Sequence, residues 1–197
     1  MASAALQFDP AAHTYEVMGR RLPSVTQVLR ILNNWGGIPA ATLEAAREFG
    51  ANLHTAINLY NRDELDEASV DAALVPYLNG WKSFIDESGA VVVASEQPVH
   101  HAVLGYAGTP DVVLAWKGRV VIPDVKSTHA VPRTVGPQTA AYAEAWWHEN
   151  GSRGRHPERY CIHLQDGKYQ AHKRNDPADW SMFVSCLNVF KFMEKQP

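Results

Sequence analysis

The 197-residue chain is about one domain's worth of sequence, and its 46% hydrophobic content is ordinary for a protein with a buried core. A formal charge of −3 and a pI near 6.3 exclude a strongly basic, histone-like binder, so any nucleic-acid contact has to come from a local patch. Two cysteines, Cys161 and Cys186, are too few for a four-cysteine zinc or iron–sulfur site or for a disulfide framework, and they read as reduced core residues.

In chain order, LQFDPAAHTYEVMG alternates as a hairpin, and SVTQVLRIL opens a helix with Ser24 and Gln27 spaced as a capping box. IPAATLEAAREFGANLHTAINLY predicts a helix starting near Pro39, with Arg47, Gly50 and His54 at i, i+3 and i+7 on one face. Gly50 costs about 1 kcal/mol against alanine there, so it reads as a place where another backbone comes close. NRDELDEAS is an acidic connector, and SVDAALVPYLNGWKSFIDES reads as a helix interrupted or kinked at Pro76.

From Ala90 the period changes. AVVVASEQPV, LGYAGTPDVVLAW and RVVIPDVKS are β-branched runs broken by glycine or polar residues, which predicts three strands in an antiparallel meander. PQTAAYAEAWWHENG predicts a helix with a glycine stop, and RYCIHLQDGKYQAHKR a hairpin turning at Asp166-Gly167. DPADWSMFVSCLNVFKFMEK closes the chain as a helix capped by Asp176 with Pro177 first. With no repeat or linker, the expectation is one α/β (α+β) domain over 1–197: hairpin and helices in 1–88, sheet and helix in 89–150, hairpin and helix in 155–195. No apolar run reaches the roughly 18 residues of a membrane span, and MASAALQFDP lacks the basic end and apolar core of a signal peptide, so a cytoplasmic location with no membrane partner is expected.

The chemistry concentrates in GTPDVVLAWKGRVVIPDVKST. On a strand, residues two apart share a face about 6–7 Å from each other, so Asp124 and Lys126 point one way and Val125 the other. Asp111 follows Gly108 and Pro110 at the start of the preceding strand, and the turn WKGR can return Asp124 beside it. Two close carboxylates repel, which a hard divalent cation relieves; the plain alternative is a surface ion pair worth about 0–1 kcal/mol. Downstream, Gln138 and Tyr142 stand four apart on one helix face, where an amide and a phenol can meet the same strand end.

This set resembles the PD-(D/E)XK nuclease superfamily, in particular its RecB-like branch of phage and repair exonucleases. The resemblance rests on ordered pieces: LPSVTQVL, REFGANLH ending in His54, SEQPV with Glu96, GYAGTPDVVL, DVK at 124–126, and QTAAY from Gln138 to Tyr142. It implies a restriction-endonuclease-like core, a central mixed sheet begun by an antiparallel meander and flanked by helices. It also implies Asp111, Asp124, the carbonyl of Val125 and His54 as ligands of Mg²⁺ or Mn²⁺, one or two ions, with Lys126 serving the attacking water. Glu96 would help hold a second ion or its water shell, or else is a solvated strand-end carboxylate. Gln138 and Tyr142 would contact the DNA backbone or brace Lys126. Branches of the family with an iron–sulfur cluster need four cysteines that this chain lacks.

The physical case is independent. Phosphodiester hydrolysis needs a nucleophile near neutral pH and charge neutralisation at phosphorus, and a metal does both. Lys126 can orient water, stabilise the transition state or take a proton, and the sequence does not choose. Arg133, Arg153, Arg155, His156, Arg159, Lys168, Lys173 and Arg174 either follow a phosphate backbone or form a solvated face. Trp146 and Trp147 suit base stacking, though an alanine-rich helix favours at least one of them as core. The expected function is a metal-dependent DNA nuclease, an exonuclease of phage or prophage recombination or DNA processing, with a phage recombination protein as a candidate partner. The alternatives are a catalytically silent DNA-binding or partner-docking module and a hydrolase of another phosphoester. Strand preference, polarity and oligomeric state have no readable signature.

Overall fold

A computed structural model describes residues 5–32, 37 and 39–195. The chain opens with β1 (Leu6–Asp9), β2 (Thr14–Val17) and β3 (Arg20–Leu22) in an antiparallel sheet of their own. The predicted hairpin is present, and a third strand joins it through a turn in which Met18 and Gly19 both take positive φ, 51° and 75°. Helix α1 (Val25–Leu29) carries the predicted capping box, with the Ser24 side chain accepting from Gln27 N and the Gln27 side chain accepting from Ser24 N.

Two longer helices follow, α2 (Ala40–Asn61) and α3 (Val75–Ser88). Pro76 does not kink α3. It sits in the first turn, where its missing N–H has no intrahelical acceptor to lose, and the helix ends at Gly89 in a left-handed conformation with φ 65°.

The central sheet is built from β4 (Val91–Ser95), β7 (Val112–Trp116), β8 (Arg119–Lys126), β9 (Glu158–Gln165) and β10 (Lys168–Lys173), in spatial order β10-β9-β8-β7-β4. The expected meander is β4, β7 and β8, but a separate hairpin of β5 (Val99–His101) and β6 (Tyr106–Gly108) is inserted between its first two strands. Pairing is antiparallel except between β8 and β9, and that parallel pair is bridged by α4 (Val135–Glu149), as a crossover requires. The hairpin β9–β10 turns at Asp166 and Gly167, both at positive φ, as expected. The last helix, α5 (Ala178–Glu194), starts at Ala178, whose N–H donates to the Asp176 carboxylate at 2.8 Å. The result is the mixed, helix-flanked sheet of an α/β fold, and no described helix is long and apolar enough to cross a membrane.

Period-2 alternation splits the sheet into two faces. Val113 and Ile122 enter one core with α1, α4 and α5, while Val112, Leu114, Val121 and Val125 enter another with α2 and α3. Cys161 and Cys186 are buried free thiols, as expected.

Two glycines divide differently from the sequence expectation. Among the described residues nothing lies within 4 Å of where a Cβ on Gly50 would sit, so none of their backbone docks there. The close approach is instead at Gly80 of α3, where a Cβ would fall 2.6 Å from the Lys168 carbonyl oxygen at the end of the β9–β10 hairpin. Gly50→Ala should therefore stabilise the protein by about 0.5–1 kcal/mol through helix propensity, whereas Gly80→Ala should destabilise it by about 1–3 kcal/mol through overpacking. Urea melts of the two variants check the opposite signs.

Candidate active site

The site forms where the start of β7 meets the C-terminal end of β8. Asp111 precedes β7, and its Oδ2 accepts a hydrogen bond from the Val125 N–H at 2.8 Å, so the WKGR turn does return the two strands to one place. Its Oδ1 lies 3.2 Å from His54 Nδ1 on α2. Glu96 follows the last residue of β4 in a left-handed conformation, φ 50°, which an L side chain adopts only at a cost and which the Glu96 N–H to Asp111 carbonyl bond of 3.1 Å helps hold. His54, Glu96 and Asp111 each offer a ligand atom within 4.8 Å of the others.

Asp124 and Lys126 share a face of β8, as their spacing requires, with Lys126 Nζ donating to Asp124 Oδ1 at 2.9 Å. Asp124 is 1% exposed, and its Oδ2, 2.8 Å from the same ammonium but off hydrogen-bond geometry, has no hydrogen-bond donor among the described residues. A buried carboxylate oxygen without a donor is costly unless a cation or another donor reaches it. Val125 points to the opposite core, so only its backbone belongs to the site. From α4, Tyr142 is buried and Gln138 is half-buried; both line a cavity of about 610 Å³ together with His54, Glu96 and Asp111. Gly108 admits the Tyr142 ring, since a Cβ there would sit 2.6 Å from its Cε1.

The charges are set by burial and by one another. Burial would draw His54 down, but the Asp111 carboxylate outweighs it and holds the imidazole above its ordinary range. Asp111 is held below the usual carboxylate range because His54, Lys126 and the Val125 N–H together outweigh its burial. Burial, together with Asp111, pushes Asp124 up in spite of Lys126. Lys126 is held above its ordinary value because Asp124 and Asp111 outweigh its desolvation. Burial and the Asp111 charge push Glu96 up to about 7. Burial and the two aspartates raise the Tyr142 phenol far above its usual range, so it is a donor at neutral pH.

A pH dependence follows for the metal-free protein. Glu96 and His54 both bind protons more tightly folded than unfolded, so their contribution is fullest at low pH. Glu96's share is lost as pH rises from about 4.5 to about 7, and His54's as pH rises beyond 6.5. Asp111, shifted down, contributes constantly across this window and loses its share only as pH falls below 3.8. Urea midpoints measured in chelator between pH 5 and 8 should fall more steeply for wild type than for Glu96→Gln, and identical slopes would exclude the Glu96 part.

Several residues that border the site were not singled out by sequence. Asn58, one turn beyond His54 on α2, has a buried Oδ1 without a hydrogen-bond donor among the described residues, and Arg62, which caps the helix, is one turn further. Both line the cavity, and the i+4, i+8 spacing from His54 was the available signal. Tyr15 and Thr109 are joined by a 2.8 Å hydrogen bond beside the site.

Three members of the late basic cluster are paired internally. Arg159 donates to Asp179 at 2.9 Å and to the carbonyls of Gly136 and Asp176, Lys173 pairs with Glu158, and His156 with Glu144. Arg133 is exposed in the loop before α4. Trp146 packs against the core formed with α5, which is the core role expected of at least one tryptophan.

No protein-family model and no curated protein matches the sequence. Among solved structures, the chain is similar to an alkaline exonuclease (LHK-Exo) from Laribacter hongkongensis, at 15% identity and a TM-score of 0.40 over 87% of this chain and 88% of that one. It is also similar to the crystal structure of SSO0001, at 11% identity and a TM-score of 0.38 over 75% and 76% of the two chains.

Proposed function

We propose that this chain is a metal-dependent deoxyribonuclease, an exonuclease acting as one domain in the cytoplasm, in phage or prophage recombination or DNA processing. The observation that carries the reading is the meeting of His54, Glu96 and Asp111 within 4.8 Å beside a buried Asp124–Lys126 pair. The donor set, carboxylates and one imidazole without thiolates, fits Mg²⁺ or Mn²⁺, and Asp124 Oδ2, which faces Lys126 Nζ at 2.8 Å without a hydrogen bond of good geometry, is a further oxygen for such an ion. His54, Asp111, Asp124, Glu96 and the Val125 carbonyl are the proposed ligands. Bound there, the ion would supply a water of lowered pKa and positive charge for the phosphate.

The chain's own groups supply the rest. Asp111 is oriented at both oxygens, by His54 and by the Val125 N–H, so its position is preset. Lys126 is held protonated by its carboxylate neighbours, which favours a role as a fixed cation that orients water and offsets developing negative charge over a role as a base. Tyr142, kept as a phenol, and Gln138 donate toward the phosphate from α4, and the exposed Arg133 meets the strand outside the cavity.

Digestion of labelled linear and circular DNA, single- and double-stranded, tests the reading. Cleavage is expected with Mg²⁺ or Mn²⁺ and not in excess chelator, and linear substrate is expected to be degraded from its ends. Full cleavage after dialysis against chelator overturns the metal mechanism. Binding without cleavage under every metal overturns the nuclease reading in favour of a catalytically silent DNA-binding module.

A further inference from the structure

The cavity that holds the acidic and imidazole groups has a second wall of a different kind. Phe8, Pro10, His13 and Tyr15, from the N-terminal sheet and its β1–β2 turn, line it along with His54, Glu96 and Asp111. Tyr15 is 1% exposed and stacks on Phe8 with ring centroids 4.8 Å apart and an interplanar angle of 23°. The His13 ring stands nearly perpendicular to both, at 5.7 Å and 85° to Phe8 and at 5.5 Å and 83° to Tyr15. Phe8 is half-buried and His13 is exposed, so this cluster closes no core of its own.

The wall is rigidly tied to the acidic end. The Tyr15 hydroxyl is hydrogen-bonded to Thr109 Oγ1 at 2.8 Å, two residues before Asp111. The chain leaving β3 is pinned to β6 through the Ala107 N–H to Pro23 carbonyl bond of 3.0 Å. The aromatic rings and the carboxylates therefore keep a set separation, which is what a ligand with a flat apolar part and a charged part requires. A volume of about 610 Å³ has room for one or two nucleotides of a single strand.

We propose that Phe8 and His13 form a stacking wall that receives a nucleobase of a single-stranded DNA end, next to the phosphodiester held at His54, Glu96 and Asp111. This rests on the nuclease reading and adds to it the form of the substrate. Stacking accepts any base, because every base has a π-face, so the wall confers strand-form selectivity without sequence preference. The backbone strain sits in the same element: His13 has φ 48°, a left-handed conformation that holds the turn between β1 and β2.

The test is direct binding in chelator, where no cleavage occurs, using fluorescence anisotropy of a labelled oligothymidylate and of an abasic oligomer of equal length. Wild type is expected to prefer the base-bearing strand by about tenfold or more, the scale of one to two stacked bases. Phe8→Leu, which keeps apolar bulk and loses the π-face, should bring that ratio toward one; Phe8→Trp should retain it; and His13→Ala, at an exposed position, should reduce it. An unchanged ratio in both Phe8→Leu and His13→Ala overturns the proposal. So does equal weakening toward both oligomers, which marks Phe8 as packing alone. A wild type that cleaves DNA with Mn²⁺ yet shows no preference overturns the stacking wall and leaves the nuclease reading standing. A wild type that neither binds nor cleaves overturns both.

Discussion

Asp111→Asn should abolish metal-supported cleavage, lowering the rate by on the order of 10³-fold or more, and should weaken Mn²⁺ binding more than any other single substitution at the site. Asp111 is the hinge of the arrangement: one oxygen faces His54 at 3.2 Å, the other accepts the Val125 N–H at 2.8 Å, and its carboxylate reaches the Glu96 group within 4.8 Å. Asparagine keeps the shape and an acceptor for Val125, so the strand geometry survives while the charge does not. Calorimetric titration with Mn²⁺ beside thermal melts checks this, and an unchanged Mn²⁺ affinity would remove Asp111 from the ligand set. His54→Ala should reduce metal affinity more mildly, since a neutral imidazole attracts a hard cation less than a carboxylate does.

The structure also changes what is expected of the metal-free protein. Two carboxylates on adjacent strands suggest repulsion that a substitution would relieve, so that Asp124→Asn would leave the apoprotein as stable or more so. Each aspartate, however, already has an internal partner: the His54 imidazole for Asp111, and the Lys126 ammonium for Asp124. Asp124→Asn therefore removes the partner of a lysine that is only 21% exposed, and a loss of stability is the expected direction.

Lys126→Ala should lower the single-turnover cleavage rate by on the order of 10²-fold or more, the usual scale for one positioned electrostatic group, while Mn²⁺ still binds. The ammonium is not a metal ligand and touches the site only through Asp124, which is why binding and chemistry should separate. Lys126→Arg distinguishes the roles left open by sequence. Arginine restores a fixed cation but cannot give up a proton, so substantial rescue favours the cationic role suggested by the raised lysine pKa, and none favours proton transfer. A wild-type rate in Lys126→Ala would leave Lys126 with no part in catalysis.

How much of this was legible in the sequence depends on the range of the interactions. The capping box at Ser24 and Gln27, the Asp166-Gly167 turn, and the shared face of Asp124 and Lys126 are set within four residues, and the structure carries all three. Pro76 reads as a kink in sequence because proline carries the same chemistry at the first turn and the middle of a helix, and only the true helix start separates the two. Gly50 and Gly80 look alike in sequence; what distinguishes them is the Lys168 carbonyl, 88 residues from one of them and brought in by the hairpin. His156, Arg159 and Lys173 look free in sequence because their partners, Glu144, Asp179 and Glu158, lie on other elements.

By itself the sequence determined the α/β class, the strand periodicity through Asp111, Asp124 and Lys126, and the placing of His54, Gln138 and Tyr142 on helices, because backbone preference and hydrophobic period are local properties. Tertiary structure alone decided that Asp111 bonds Val125 and His54, that Glu96 turns inward on a left-handed residue, and that the N-terminal aromatics face the same cavity. Those outcomes depend on how the two helical layers close over the sheet end, where burial sets the charges and distant segments meet, and no local pattern encodes that distance.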